Sequence, residues 1–238
     1  MLLTKLEDNL SREWYASKSL EHGWSSNVLW HMIDMRLIER EGQAVTNFPE
    51  TIPPQDSDMA IQIFKDPYIF DFLGTDGNRR ELEIERSLID HMEKFLLELG
   101  HGFAFVGRQV HLEFSDSDYY IDLLFYHLKL RCYVVVELKA RKFEVGDLAQ
   151  LNMYINVVND LLCHPDDKPT IGLLLVKEKN RNIVEFALEG YKNPISVSDW
   201  QDEFDKTISL LKSNLPTVDE LEREMEYLDS LTIEGGTE

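Results

Sequence analysis

Residues 119–139 read YYIDLLFYHLKLRCYVVVELK, two almost wholly apolar runs joined by a short polar turn. Apolar side chains at nearly every position, rather than every second one, describe strands covered on both faces. The segment therefore predicts the inner hairpin of a sheet held between helical layers. A second such run, Ile171 to Val176 (IGLLLV), follows a helical stretch from about Val145 to Leu162 that the segment Pro165 to Pro169 ends. Strand, helix, strand in that order makes a right-handed crossover between parallel strands. Upstream, Arg80 to Leu99 reads as one long amphipathic helix with Leu82, Leu88, Ile89, Met92, Phe95, Leu96 and Leu99 along its apolar stripe. Gly100 and Gly102 end it, and Phe103 to Phe114 is a strand that turns at SDSD, residues 115–118. Downstream come a helix from Asn180 to Leu188, a short strand from Ile195 to Val197, and a last helix from Asp202 to Leu211. The fold class is α/β, a mixed central sheet flanked by helices, with a small helical segment in front.

That front segment, residues 1–46, divides at Leu20 to Gly23, where Gly23 supplies a left-handed C-cap and Ser25 or Ser26 caps a following helix that runs to Arg40. The pattern suggests part of a helix-turn-helix. Residues 47–78 read as a linker with a short helix, because three prolines in NFPETIPPQDS oppose a regular helix. The main domain is expected over 79–213 and an acidic helix or disordered tail over 214–238.

The chain carries 24 Lys and Arg against 44 Asp and Glu, a formal charge of -20. That opposes nonspecific wrapping of nucleic acid, and places any anion site in the middle of the chain, where the balance turns slightly positive. Two cysteines, Cys132 and Cys163, make neither a disulfide framework nor a four-ligand zinc site. No apolar run approaches membrane-spanning length and no targeting segment is visible, so a soluble, cytoplasmic protein is expected. Nucleotide-binding glycine loops are absent.

Against this background Asp122 stands out, a carboxylate inside a strand that otherwise reads as core. Burying it costs several kcal/mol unless it is paired, hydrogen-bonded or on a metal. Glu137 and Lys139 lie two apart on the next strand and share a face. If the two strands form a hairpin around Lys129 and Leu130, opposed residues sum to 259. Tyr126 then faces Tyr133, Leu124 faces Val135, and Asp122 faces Glu137, with Cβ atoms about 5 Å apart. Two carboxylates so placed favour a divalent cation between them, and oxygen ligands suit Mg²⁺ or Mn²⁺. Glu85, on the buried side of the long helix, can approach this pair. Gln150 and Tyr154, spaced i, i+4 on the crossover helix, can contact a phosphate or hold Lys139. Arg108 and Lys142 are the further phosphate contacts expected. A buried salt bridge between Glu137 and Lys139 is the alternative. Tyr119 and Tyr120 are open to two readings, stacking on a base or packing at the core or an edge. Trp14, Trp24 and Trp30 call for cover that few helices provide, which predicts a homodimer through the N-terminal helices.

The stretches KDPYIFDFLG, LIDHMEKFLLELGHGFAFVGRQ, YYIDLLFYHLKLRCYVVVELK, LNMYINVVND and PTIGLLLVKEKNRNIVEFAL closely resemble the YhcG-like family of bacterial nucleases, and through it the PD-(D/E)XK nuclease superfamily. The resemblance implies a restriction-endonuclease-like fold. It assigns the motif aspartate to Asp122, here without the preceding proline, and the (D/E)xK element to Glu137, Leu138 and Lys139. It adds the backbone carbonyl of Leu138 as a metal ligand, Glu85 as the helix glutamate and Gln150 as the later glutamine. It implies a Mg²⁺- or Mn²⁺-dependent endonuclease that acts on DNA and leaves 5′-phosphate and 3′-hydroxyl ends. The alternatives are an inactive nuclease-fold module that binds DNA or protein, and a structure-selective or RNA-directed nuclease. Such families carry a larger helical N-terminal domain, of which REWYASKSLEHGWSSNVLWHMI resembles only the end, so a shortened form or a trimmed piece is expected.

Overall fold

A computed structural model describes residues 6, 8–73 and 80–202; the helix expected at 202–211 and the acidic segment 214–238 lie outside the described residues, save Asp202. The N-terminal region forms α1 (Asn9–His22), α2 (Ser26–Asp34) and α3 (Leu37–Arg40). Gly23 (φ 63°) closes α1 in the left-handed conformation that glycine adopts without a Cβ penalty, and Ser25 caps α2 through the Val28 amide. The helix expected to run on to Arg40 instead breaks at Met35 and Arg36, where Arg36 takes φ 48°. Tyr15, Leu29, Met32, Ile33 and Leu37 close around one another as a small separate core.

Residues 47–73 correct the linker expectation. After β1 (Val45–Thr46) come α4 (Phe48–Thr51), α5 (Pro54–Ile63) and β2 (Tyr68–Phe70). The prolines do not oppose these helices because they sit in the first turn, where a missing N–H leaves no bond unmade. Phe48, Phe64, Tyr68 and Phe70 are fully buried in the main core. A linker does not bury four aromatic rings.

The long helix is two, α6 (Glu81–Asp90) and α7 (Met92–Leu99), broken at His91. Then follow β3 (Phe103–Phe114), β4 (Ser117–His127), β5 (Cys132–Leu138), α8 (Val145–Leu161), β6 (Ile171–Val176), α9 (Arg181–Leu188) and β7 (Ile195–Asp202). The sheet runs β1-β7-β6-β5-β4-β3, with β2 pairing β7 beside it. β5, β6 and β7 are parallel, β3, β4 and β5 antiparallel. β5, α8 and β6 make the expected crossover. The last strand is far longer than the expected 195–197, because it is central and pairs β6, β1 and β2.

Both faces of the sheet are covered. On one, Phe64, Leu88, Phe95 and Leu99 pack on Leu123, Phe125, Val134, Val136 and Leu173. On the other, Leu148, Leu151, Ile155 and Val184 pack on Leu124, Val135, Leu174 and Val197. Each such side chain contributes about 1.5–3 kcal/mol relative to exposure. Gly172 lets α8 approach closely, since a Cβ there would lie 2.7 Å from Ile155 Cδ1.

Candidate active site

The expected register holds for every pair in the β4–β5 ladder, which begins at His127↔Cys132 and includes Tyr126↔Tyr133 and Leu124↔Val135. It ends at Leu123↔Val136, one pair short of Asp122 and Glu137. The β3–β4 hairpin, closed by Ser115 and Asp116 in left-handed conformations, pairs residues summing to 231 from its tip to Gly107↔Leu124. It too omits Asp122. Asp122 is thus the single residue of β4 with no ladder partner on either side.

The strand is irregular here for a visible reason. Ile121 and Leu124, three apart, pack under the same helical layer, while Leu123 packs under the other. Regular alternation would put Ile121 with Leu123. The alternation of β4 therefore breaks at Asp122, and on β3 Val106 is the extra residue of a bulge and Gln109 takes φ 43°. The sheet opens at this point, and its freed backbone groups need new partners. Asp122 supplies one: its Oδ2 accepts the Leu138 amide at 3.1 Å.

Four acids surround the opening. Glu137 is buried and its Oε1 accepts from Lys139 Nζ at 2.8 Å. Lys139 is buried as well, and its backbone carbonyl accepts from Trp200 Nε1 at 3.1 Å. Glu85, buried on α6, accepts from Gln109 Nε2 at 2.9 Å, and the same amide nitrogen donates to Asp122 Oδ1 at 3.2 Å. Glu81, one helical turn before Glu85, accepts the Ala140 amide at 3.2 Å. Two carboxylate oxygens, Glu85 Oε1 and Glu137 Oε2, are buried with no hydrogen-bond partner. Native proteins rarely leave such atoms unmatched without an ion or water to meet them.

The electrostatics follow from this crowding. Burial, reinforced by the charge of Asp122, pushes Glu137 up to about 7 despite the Lys139 hydrogen bond. Burial also raises Asp122, against the Leu138 amide and Lys139, and raises Glu85, against Gln109. Lys139 is pulled down by burial, but Glu137, Glu81 and Asp122 outweigh that and its net shift is upward.

The other expected residues are placed less uniformly. Gln150 Nε2 donates to the Tyr154 hydroxyl at 2.9 Å, and burial raises that phenol, with Glu137 and Asp122 adding to the rise. Tyr154 is therefore within electrostatic reach of the acids, while Gln150 bonds Tyr154 rather than Lys139. Arg108 is exposed and its charge acts on Glu85. Lys142 is exposed and forms an ion pair with Glu178 at 2.8 Å. Glu81 and Gln109 were not expected. Glu81 could have been found from its i, i+4 spacing to Glu85, and Gln109 from the same sum rule applied to the first hairpin, which sets 109 opposite 122.

Among the described residues no group of three or more His, Cys, Asp and Glu side chains forms a ready-made metal site. The amide nitrogen of Gln109 lies between Glu85 and Asp122 and donates to both.

A mixed sheet that opens at an aspartate, with an acid–x–lysine triplet ending the adjacent strand, defines a PD-(D/E)XK nuclease fold. A model of the YhcG PDDEXK nuclease domain matches residues 61–216, and the chain belongs to that family. It is 35% identical over 194 residues to a protein of Escherichia coli (strain K12) named "Putative nuclease YhcG", a match covering 80% of this chain and 52% of the relative. The chain thus spans about half the length of the curated relative it matches. Among solved structures, a repair endonuclease from Pyrococcus abyssi is 16% identical with a TM-score of 0.36, covering 54% of this chain and 49% of that one. EndoMS in complex with double-stranded DNA is 17% identical with a TM-score of 0.33, covering 54% and 48%. Among the described residues no helix is long and apolar enough to cross a membrane.

Proposed function

We propose that this chain carries a metal-dependent nuclease site that hydrolyses phosphodiester bonds of DNA, leaving 5′-phosphate and 3′-hydroxyl ends. The observation that carries the reading is the pair of buried, unpartnered carboxylate oxygens, Glu85 Oε1 and Glu137 Oε2, in the cluster of acids that includes Asp122. The donor set is all oxygen and suits Mg²⁺ or Mn²⁺. Asp122, Glu137 and the Leu138 carbonyl would hold it, with Glu85 beside them bonded to Gln109. When bound, such a cation polarises a phosphoryl oxygen and lowers the pKa of water.

The chain's own groups do the rest. Lys139 has three donors, of which Glu137 takes one; the others orient water and meet a phosphoryl oxygen. Glu81 holds the Ala140 amide and so fixes the strand end that carries Lys139. Tyr154, held by Gln150, and the exposed Arg108 are the phosphate contacts; Lys142 is a weaker one while Glu178 holds it. Self-association through the N-terminal helices belongs to the same reading, supported by the exposure of Leu10 and Leu20 on α1, and light scattering tests it against a monomer.

The test is incubation with Mg²⁺ or Mn²⁺ and end-labelled duplex, single-stranded and branched DNA, with RNA beside them. Cleavage that Asp122→Ala abolishes supports the reading. Equal products from wild type and variant, or none with any DNA, overturn it; cleavage of RNA alone transfers the chemistry to the other substrate.

A further inference from the structure

Beyond the acids, the β3–β4 ribbon carries two exposed rings that the hydrolytic site does not use. His111 and Tyr120 are direct cross-strand partners. Their rings stack with centroids 4.9 Å apart and planes 20° from parallel. Tyr120 is 51% exposed, although it lies between strand residues that are largely covered. His111 Nε2 is held by Asp118 Oδ1 at 2.5 Å, which fixes its ring against that of Tyr120. An aromatic pair kept in one orientation and left open to water has no packing role in this fold.

Its position supplies a role. Tyr120 is two residues from Asp122 on β4, and His111 is two residues from Gln109 on β3, so both rings flank the Gln109–Asp122 bridge by the same step. Two strand residues span about 6.6 Å, a distance that one unstacked nucleotide bridges. Val110, Leu112 and Tyr119 pack toward the layer of α8. Alternation therefore places His111 and Tyr120 on the other side of the ribbon, the side from which Gln109 reaches Glu85 on α6. Beyond the rings, Glu113, Asp116 and Asp118 make the tip acidic. A phosphate chain is repelled there, so a strand cannot run along the ribbon. A base, which carries no charge, can leave the strand beside Asp122 and lie on the rings.

We infer that His111 and Tyr120 form a stacking platform for one unpaired nucleobase adjacent to the scissile phosphate, which gives the site a preference for single-stranded or locally opened DNA. The inference rests on the nuclease reading above and deepens it by naming the substrate class. Flat aromatic surfaces bind bases of any sequence, because every base has a π-face. The platform therefore selects unpaired structure rather than sequence.

The probe is a short single-stranded oligonucleotide with 2-aminopurine at alternate positions, titrated with Ca²⁺ in place of Mg²⁺ to hold back cleavage, beside the duplex of the same sequence. Wild-type protein is expected to quench the 2-aminopurine and to bind the single strand more tightly than the duplex. Tyr120→Ala and His111→Ala are expected to weaken single-strand binding about tenfold, in line with the alanine-substitution effect on base stacking. Tyr120→Phe, which keeps the ring, should behave as wild type. Unchanged affinity and quenching in both alanine variants overturns the platform and leaves the nuclease reading intact. Absence of any oligonucleotide binding by the wild type overturns both. Quenching lost in the alanine variants of a protein that cuts no DNA supports the platform and sinks only the hydrolytic reading.

Discussion

Asp122 Oδ2 bonds the Leu138 amide across the gap where the β4–β5 ladder has ended. One carboxylate oxygen thus closes the sheet while the other, shared with Gln109, faces the site. The two roles separate under substitution. Asp122→Asn keeps an oxygen acceptor for Leu138 and loses the charge; Asp122→Ala loses both. Both variants are expected to lower cleavage and Mn²⁺ affinity by at least about 100-fold, since even partners outside the ligand shell are worth 10–100-fold. Only the alanine variant should also be destabilised, by about 1–3 kcal/mol, for an unsatisfied buried N–H. Equal urea midpoints for the two would contradict the bridging role of Asp122.

Glu137 sets a pH dependence. Its carboxyl is raised from the ordinary Glu value to about 7, chiefly by burial and then by Asp122. Between those two values the folded state binds more protons than the unfolded one, so this group's contribution to stability falls as pH rises through that window. A cation that needs the ionised carboxylate acts in the opposite sense. The thermal stabilisation by Mn²⁺ should therefore be small at pH 6 and larger at pH 8, with cleavage rising over the same interval. In Glu137→Gln the pH dependence of the Mn²⁺ effect should disappear. A wild-type Mn²⁺ shift that is flat from pH 6 to 8 would argue against Glu137 as a ligand.

The Lys139–Glu137 pair is buried at both ends, with side chains 10% and 2% exposed. Removing one partner of such a pair leaves an uncompensated charge, at a cost of about 3–5 kcal/mol, whereas replacing both is often neutral. Lys139→Met is expected to destabilise strongly, and Lys139→Met with Glu137→Gln to recover most of that loss in urea titrations. Neither protein should cut DNA. Additive losses in the double variant would mean the two groups do not interact.

Period and charge made the inner part of the site legible. The sum of 259 follows from placing the turn at Lys129 and Leu130, and a slip of one residue would move Asp122 to the other face of the sheet. Glu85 followed from helical spacing. What failed to show were departures from regular geometry. Nothing local marks Asp122 as the residue that both ladders leave unpaired, and Gln109 reads as an ordinary outward residue of an alternating strand. His91 breaks the long helix without a proline or glycine at the break. Pro49 and Pro54 read as breakers in the sequence, but a proline's effect depends on where in a helix it falls, and that position is set by tertiary contacts of Phe48 and Phe64. Glu81 and Gln109 act through contacts between elements, with the Ala140 amide and with Glu85 and Asp122; spacing shows where they lie but not what they touch.

Such contacts also fix how the N-terminal helices are joined to the sheet domain. Arg40, at the end of α3, is buried, with Nε donating to the Met35 carbonyl at 2.7 Å and Nη1 to the Pro67 carbonyl at 2.9 Å. Its guanidinium also pairs with Glu98 on α7, and Glu98 Oε1 accepts the Ile69 amide at 2.8 Å. Lys65, buried and pulled down by desolvation against the charge of Glu98, donates to the Glu98 backbone carbonyl. One carboxylate thus ties together the end of α3, the approach to β2 and the end of α7. Glu98→Ala strands two buried cations and an amide, and should cost about 3–5 kcal/mol. Glu98→Gln, which keeps an acceptor for Ile69, should cost less. Because the anchor joins the two hydrophobic cores, tryptophan fluorescence, with Trp14 and Trp24 in one and Trp200 in the other, and far-ultraviolet dichroism should report a single urea transition in the wild type. Glu98→Ala should separate the two signals, with the tryptophan change coming first as α1–α3 detach. Coincident transitions in that variant would show that Glu98 does not carry the connection.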